Sequence, residues 1–195
     1  MPPKAKFTKD EIIEAALAIV REEGFGALTA RALGERLGSS ARPIFTVFKS
    51  MDEVCGAVTE AAKALYKEYV MRGLENTPAF KGVGTQYILF AINEPKLFQL
   101  LFMKEHSVVP RLGTVLPEID DNYEEILLSV KDGYGLTPQK AERLYRHLWI
   151  YTHGIAALCA TKMCCFSGEE ISGMMTEVFV GLLKNIKSET GGDQA

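Results

Sequence analysis

The stretch Ala32 to Val54, ALGERLGSSARPIFTVFKSMDEV, decides the fold expected for this chain. Two short helical segments with apolar faces flank a Gly-Ser-Ser break, and a Phe-x-x-Phe pair precedes the start signal of another helix. A tight helix-turn-helix of this kind places the end of one helix in the major groove of DNA. The stretch therefore predicts a DNA-binding regulator rather than an enzyme.

Helix signals continue along the rest of the chain, and no segment has the sustained two-residue alternation of a strand. Capping boxes and a Thr-Pro pair mark four helix starts, at Thr8, Ser50, Thr137 and Ser167. Ser40 is expected to cap a third helix, with Pro43 in its first turn and Gly38 ending the helix before it. Further helices are expected near 81–92, 95–104, 117–132, 138–163 and 169–186. We therefore predict an all-α protein of about nine helices.

The predicted helices divide into two domains. Residues 1–50 form a three-helix DNA-binding head that contains the helix-turn-helix, and residues 51–190 form a helical bundle for ligand binding and dimerisation. The net charge of −3 is split between them: residues 1–50 carry eight Lys/Arg and six Asp/Glu, net +2, which leaves 14 and 19, net −5, for the remainder. Phosphate attraction requires local positive charge, so a mildly basic head on an acidic body suits a DNA-binding protein.

No segment is expected to enter a membrane. The longest run without a charged residue, His147 to Thr161, is too short to span a bilayer comfortably and contains two histidines. The first residues, MPPKAKFTKDE, lack an apolar signal core, which predicts a cytoplasmic protein.

The head resembles the DNA-binding domain of the TetR family of bacterial repressors over residues 8 to 56. The resemblance rests on the order and spacing of Glu22-Glu-Gly24-Phe25, Leu28-Thr29, the Leu-Gly-Ser-Ser turn and the segment from Phe45 to Ser50. The family usually has Tyr at position 45 and Lys at position 51, where this chain has Phe45 and Met51. Further along, Trp149-Ile-Tyr-Thr-His153-Gly154 is similar to the W-x-x-x-H-G element of one group of TetR-family ligand-binding domains, in which it lies on the penultimate helix.

Arg42 is the residue expected to read bases, because the first turn of a recognition helix reaches base edges and Arg can bind guanine bidentately. Its alternative role is a phosphate contact alone. Ser40 and Ala41 share that turn. Five residues are expected to contact backbone phosphates. They are the hydroxyl residues Thr29 and Thr46, the cations Arg31 and Lys49, and Phe45, which stands where the family usually has a phosphate-binding tyrosine. Phe45 and Phe48 are also expected to pack in the core against the neighbouring helices, and for Phe48 this is the preferred interpretation.

The resemblance also implies a ligand pocket among the middle helices. Its expected lining is Tyr87, Phe98, Phe102, Tyr123, Trp149 and His153, because ligand sites are largely apolar with a few polar groups. Aromatic residues at helical spacing are also the usual content of a core, and this alternative stays open.

No cofactor, metal site or catalytic constellation is expected. The chain has no Gly-rich phosphate loop, no His-Glu-x-x-His, no Gly-x-Ser-x-Gly and no Cys-x2-Cys pair. Cys159, Cys164 and Cys165 are interpreted as small apolar side chains, with redox sensing as the alternative.

These observations predict a transcriptional regulator, in first place a ligand-responsive repressor. Its partners are double-stranded DNA with a palindromic operator, a small-molecule effector, and a second copy of the chain bound through the last two helices, since both are more apolar than one packed face requires. The alternative is a helical small-molecule-binding or scaffold protein whose DNA-binding head is vestigial.

Overall fold

A computed structural model describes residues 6–105 and 109–189. Within these residues the chain contains nine α-helices, two short 3-10 helices and no strand, which confirms the all-α prediction. The α-helices are α1 (Lys9–Glu23), α2 (Ala30–Arg36), α3 (Met51–Leu74), α4 (Ala79–Asn93), α5 (Pro95–Phe102), α6 (Val115–Ile119), α7 (Tyr123–Tyr134), α8 (Pro138–Ala160) and α9 (Gly168–Ser188). The 3-10 helices are Phe25–Ala27 and Ile44–Thr46.

The predicted capping boxes form at α1 and α9. The Thr8 hydroxyl accepts from the Glu11 N–H, and the Glu11 carboxylate accepts from the Thr8 N–H at 2.7 Å. Ser167 and Glu170 make the same reciprocal pair, again at 2.7 Å for the carboxylate bond. Each box satisfies two backbone donors that an α-helix leaves free at its start.

The predicted capping box at Ser50 forms only in part. Ser50 Oγ accepts from the Glu53 N–H at 3.3 Å, but the Glu53 carboxylate accepts from the Lys49 N–H at 2.7 Å instead of that of Ser50. The carboxylate therefore fixes the residue that enters α3 from the preceding turn.

Residues 117–132 were expected to form one helix, and this prediction was wrong. The segment is divided between α6 and α7 by a turn at Asp120–Asn122. The buried Asp120 carboxylate accepts from the backbone N–H of Asn122 at 2.9 Å and from its Nδ2 at 3.0 Å. Short Asp and Asn side chains compete with the helix ladder for backbone groups in this way, and the competition interrupts the helix.

The described residues separate into two compact units. The first, called the head unit here, comprises 6–66 and 94–105, and the second, the bundle unit, comprises 67–93 and 109–189. In the head unit, α1 packs against α2 and α5. Its core is largely apolar and contains Ile12, Ala16, Ile19, Val20, Leu33, Ile44, Phe48, Val54, Val58, Leu97 and Phe98.

Two ion pairs connect the last turn of α1 to other segments of the head unit. Arg21 donates to the carboxylate of Glu94, the residue before α5, with Nε at 2.7 Å from Oε2. Its neighbour Glu22 accepts from Arg36 of α2, with Nη1 at 2.6 Å from Oε2. Adjacent residues of opposite charge therefore connect α1 to two different segments of the head unit.

In the bundle unit, α8 is the central helix and packs against α4, α7 and α9. The α3 end and the α4 start meet closely: a Cβ on Gly73 would lie 2.6 Å from the Val83 Cα, and one on Gly82 would overlap the Gly73 carbonyl oxygen. Glycine at both positions is what lets the two backbones approach. Among the described residues, no helix is long and apolar enough to cross a membrane.

Candidate nucleic-acid interface and ligand site

The segment between α2 and α3 is a series of tight turns rather than the predicted helix. The Ile44 N–H bonds to the Ala41 carbonyl at 3.1 Å, and the Val47 N–H to the Ile44 carbonyl at 3.1 Å. These are 3-10-type bonds, and the only helical residues are Ile44–Thr46. The expectation of a third α-helix beginning at Ser40 was therefore wrong.

The shortness of this segment has a physical cause. Gly38 turns the chain with a left-handed φ of 62°, and α3 already begins at Met51. Between these points Ile44 and Phe48 are both fully buried, so two anchors four residues apart draw the segment onto the head core. Pro43 adds no N–H to a helix ladder. Within the segment only the three residues of one 3-10 turn, Ile44–Thr46, are helical.

The segment also lies directly against α2. A Cβ on Gly34 would be 2.9 Å from the Ala41 nitrogen and 2.9 Å from the Ser40 carbonyl carbon. The Ser39 N–H donates to the Gly34 carbonyl at 2.9 Å. Glycine at position 34 therefore permits the backbone of the turn to approach α2 closely.

The turn segment presents most of its predicted DNA contacts to solvent. Ser40, Arg42, Thr46 and Lys49 are exposed, and Ala41 is half-buried. Phe45 is 45% exposed, so the interpretation of Phe45 as a core residue was wrong, whereas Phe48 is a core residue as expected. The Thr46 hydroxyl donates to the Pro43 carbonyl at 2.6 Å and remains an acceptor toward solvent.

The candidates on α2 are already engaged within the head. The Thr29 hydroxyl accepts from the Ala32 N–H at 3.1 Å and caps α2. Arg31 pairs with Glu35 at 2.9 Å, and this contact raises the pKa of its guanidinium. By contrast, neither Arg42 nor Lys49 forms an ion pair with any residue that the structure describes.

Two further cations reach the turn segment from the start of the described chain. Lys6 Nζ donates to the Ser39 hydroxyl at 3.0 Å, and Lys9 Nζ lies 5.7 Å from the centre of the Phe48 ring. Lys9 was not predicted as a site residue, because it lies forty residues before Lys49 in the sequence. Only the packing of α1 brings it to the turn segment. Together with Arg42 and Lys49 these residues form a group of four cations, called the basic cluster below.

Three of the predicted ligand residues meet in the bundle unit. The Tyr87 hydroxyl and His153 Nδ1 lie 2.9 Å apart, and the Trp149 and His153 rings stack with their centres 5.1 Å apart. Burial raises the pKa of Tyr87 well above its usual value, and the neighbouring Asp120 carboxylate adds to the rise. Burial lowers the pKa of His153, so its neutral form is favoured.

Tyr123 is the first residue of α7 and contacts α8 through Tyr145, which lies four residues before Trp149. It stacks on Tyr145 with ring centres 5.8 Å apart and planes 15° apart. Arg146 lies close enough to lower the pKa of Tyr123, although burial and the neighbouring Glu142 raise it more. Sequence reasoning missed Arg146, Tyr145 and Asp120 as neighbours of the aromatic group, since only the packing of α6, α7 and α8 places them there.

Phe98 and Phe102 are in the head unit. Phe98 is fully buried and its ring centre lies 5.2 Å from that of Phe102, which in turn meets Tyr66 edge-on at 4.9 Å. Their contacts are those of core aromatics on α5.

The three C-terminal thiols lie around the end of α8. Cys164 and Cys165 are exposed, and Cys159 is half-buried. Burial raises the pKa of the Cys159 thiol, and its two neighbours raise it further. A raised pKa leaves less thiolate at neutral pH, which makes Cys159 less reactive than an ordinary cysteine.

Comparison with known proteins matches two parts of the chain to one family. Residues 12–58 match the family profile "Bacterial regulatory proteins, tetR family", and residues 80–169 match "Tetracyclin repressor-like, C-terminal domain". No curated protein matches the chain. A solved structure described as "putative transcription regulator SCO7704 from Streptomyces coelicor" is 19% identical over 98% of this chain and 100% of that chain. Its TM-score is 0.44.

The first profile corresponds to the N-terminal helix-turn-helix domain of the family, and the second to a helical C-terminal domain. Together the two domains indicate a DNA-binding transcription regulator. The chain therefore belongs to the TetR family of bacterial regulatory proteins.

Proposed function

We propose that this regulator is a ligand-responsive repressor that acts in the cytoplasm and binds a palindromic operator as a homodimer. The observation that carries the DNA-binding part is the basic cluster. Arg42 and Lys49 are exposed on one short segment, have no ion-pair partner among the described residues, and are held by the buried anchors Ile44 and Phe48. Cations without an ion-pair partner on a rigid segment can contact DNA without first breaking an ion pair within the protein.

Arg42 and Lys49 have different proposed roles. Arg42 lies at the start of the turn, next to Ser40 and Ala41, and its planar fork suits the O6 and N7 acceptors of guanine in the major groove. Lys49 lies at the other end, beside the start of α3, where a flexible point charge suits a phosphate. Thr29, Arg31, Phe45 and Thr46 are proposed to lie along the same backbone.

Alanine substitution separates these roles. Arg42→Ala should cost about 1–3 kcal/mol on the operator and relax the preference at one base pair in each half-site. Lys49→Ala should weaken binding to operator and unrelated DNA alike and reduce the salt slope by about one. Lys67→Ala, which removes an exposed lysine of the bundle unit, is the charge-matched control. The measurement is fluorescence anisotropy of labelled duplexes over a salt series. If Lys49→Ala changed base preference and Arg42→Ala did not, the assignment would be wrong.

The homodimer is proposed from the apolar surface of the last two helices. Only Ile171 and Ile186 of α9 are buried, whereas Met174, Met175, Val178, Phe179, Leu182 and Leu183 are half-buried. Val180 is 54% exposed, and Ile150 on α8 is exposed as well. A helix that is apolar around most of its girth must be covered on several sides, and a second copy packed about a two-fold axis covers it. A dimer also presents two heads to two half-sites.

A pair of matched substitutions tests this interface. Val180→Asp should give a monomer that no longer binds a palindrome, because it places a charge in the proposed contact. Leu128→Asp on α7, at 53% exposed, introduces the same charge outside the contact and should remain dimeric. The measurement is light scattering at micromolar concentration. If the wild-type protein were monomeric under these conditions, the proposed homodimer would be contradicted.

The ligand-responsive part is proposed from the cluster around Tyr87, Trp149 and His153. It includes the W-x-x-x-H-G element, which lies on α8, the penultimate helix. The group of TetR-family ligand-binding domains that this element resembles also has it on the penultimate helix. An effector bound there can release DNA only if it binds the non-DNA-binding conformation more tightly.

A second candidate function is a small-molecule-binding or scaffold protein with a vestigial head. Phe45 favours it, since this exposed ring replaces a hydroxyl that could contact phosphate. A flat, weak salt dependence of DNA affinity would promote this candidate over the repressor.

A further inference from the structure

Two buried side-chain donors on α8 have no hydrogen-bond acceptor among the residues that the structure describes: Arg146 Nε and Trp149 Nε1. The Trp149 indole lies beside the Tyr87 hydroxyl and lowers the pKa that burial raises, but the N–H does not reach hydrogen-bond geometry. A buried donor without a partner costs about 1–3 kcal/mol, and native proteins contain few of them. Two within one turn of the same helix therefore point to a missing acceptor.

The two donors face the same part of the bundle unit. Arg146, Trp149 and His153 follow one another at i, i+3 and i+7 along α8, so their side chains lie on one surface of the helix. At one end of this surface His153 contacts Tyr87 of α4. At the other end Arg146 is near enough to Tyr123 of α7 for its charge to lower the pKa of the Tyr123 hydroxyl. The donors thus lie among α4, α7 and α8.

The charges around the donors define what can satisfy them. Arg146 is paired with Glu142 only through Nη1, at a long 3.4 Å, and its Nε remains without an acceptor. Asp120, a buried acid nearby, already accepts two hydrogen bonds from Asn122. A guanidinium N–H and an indole N–H together favour a planar, anionic acceptor, and carboxylate is the group whose geometry a guanidinium matches best.

We propose that this site binds a small aromatic carboxylate, whose oxygens accept from Arg146 Nε–H and Trp149 Nε1–H. The aromatic ring of the ligand lies against the stacked Trp149 and His153 rings, where an apolar plane replaces water. The proposal rests on the proposed function, since it names the chemical class of the effector.

The chain has one tryptophan, so its fluorescence reports this site directly. The full-length protein is titrated with benzoate and phenylacetate, and with benzamide and phenylacetamide as uncharged controls of the same shape. Excitation at the red edge of the indole absorption excludes the tyrosines. We expect a saturable change with each carboxylate and affinities at least about tenfold weaker for the amides. No saturable change, or equal affinity for acids and amides, would overturn the proposal.

Variants test the two donors separately. Arg146→Gln should weaken carboxylate binding about tenfold or more and leave the amides unchanged. Arg146→Lys keeps the charge but lacks the Nε–H fork, and should recover only part of the affinity. Arg143→Gln removes a cation from the same helix that pairs with Glu189, and should bind as the wild type does. If Arg143→Gln and Arg146→Gln lost affinity equally, general electrostatics and not this site would explain binding.

Trp149→Phe retains the stacking ring and removes the N–H, and is measured by calorimetry because it also removes the fluorophore. We expect a loss of about tenfold in carboxylate affinity. These titrations contain no DNA, and the salt-series anisotropy contains no ligand. Failure of the carboxylate site and failure of the DNA-binding proposal are therefore observed independently.

Discussion

Replacing Gly34 by alanine tests the contact that fixes the turn segment on α2. The new Cβ would lie 2.9 Å from both the Ala41 nitrogen and the Ser40 carbonyl carbon, closer than carbon atoms approach in packed proteins. Both neighbours are backbone, so the turn must shift by a few tenths of an ångström. Overpacking of this kind costs about 1–3 kcal/mol. Alanine in a helix gains about 0.5–1 kcal/mol over glycine, which offsets part of this cost.

Gly56→Ala is the matched control for this substitution. Gly56 lies inside α3 with nothing within 4 Å of the position of a Cβ, so only the helix-propensity gain remains. The difference in unfolding free energy between the two variants therefore isolates the overpacking cost, about 1–3 kcal/mol.

Urea unfolding measures this difference, and operator binding is measured in parallel on the folded variants. Because Arg42 follows the displaced backbone, Gly34→Ala should also weaken operator binding, whereas Gly56→Ala should not. If Gly34→Ala were as stabilising as Gly56→Ala, the close contact between α2 and the turn would be refuted.

Other contacts give further expected outcomes. Gly82→Ala should lose about 1–3 kcal/mol of stability, since its Cβ meets the Gly73 carbonyl, whereas Gly84→Ala meets only the flexible end of Met175 at 3.3 Å and should be close to neutral; equal losses in urea unfolding would contradict this. Burial lowers the pKa of His153 below its ordinary 6.5, so the unfolded chain takes up the proton first. Its contribution to stability is complete above about pH 6.5 and falls as the pH is lowered through that value. His153→Gln should therefore flatten the pH dependence of unfolding between about pH 7.5 and about pH 5.5, and parallel curves for variant and wild type would argue against it.

Sequence signals located most helices because they act over a few residues. The capping boxes at Thr8 and Ser167 are local patterns, and each begins a helix at the predicted residue. The failures lie where packing or side-chain competition decides the backbone. Ser40 was expected to open a helix, but the segment packs on the head core through Ile44 and Phe48 and only Ile44–Thr46 are helical. Asp120 interrupts a segment whose apolar pattern is continuous.

The same division holds for the candidate sites. The contact between Tyr87 and His153 joins two residues that the sequence marked separately, because their types suit a polar point in an apolar site. Arg146 and Lys9 carried no such mark. Arg146 lies one turn before Trp149 and resembles any charged helix residue until the burial of its Nε is known. Lys9 joins the basic cluster only through the packing of α1. Long-range neighbours of this kind have no short-range signature.

The neighbouring residues Arg21 and Glu22 have a consequence for how DNA affinity is interpreted. Through Glu94 and Arg36 they connect α1 to two segments of the head unit by ion pairs, and dissolved salt screens such pairs as it screens contacts with phosphate. Added salt thus does two things at once: it competes with the protein for the duplex, and it loosens the scaffold that holds the turn segment. The slope of affinity against salt concentration contains both terms. Dividing it by the charge released per phosphate would therefore overcount the phosphates touched, and a head whose two pairs were replaced by apolar residues would return the smaller, true number.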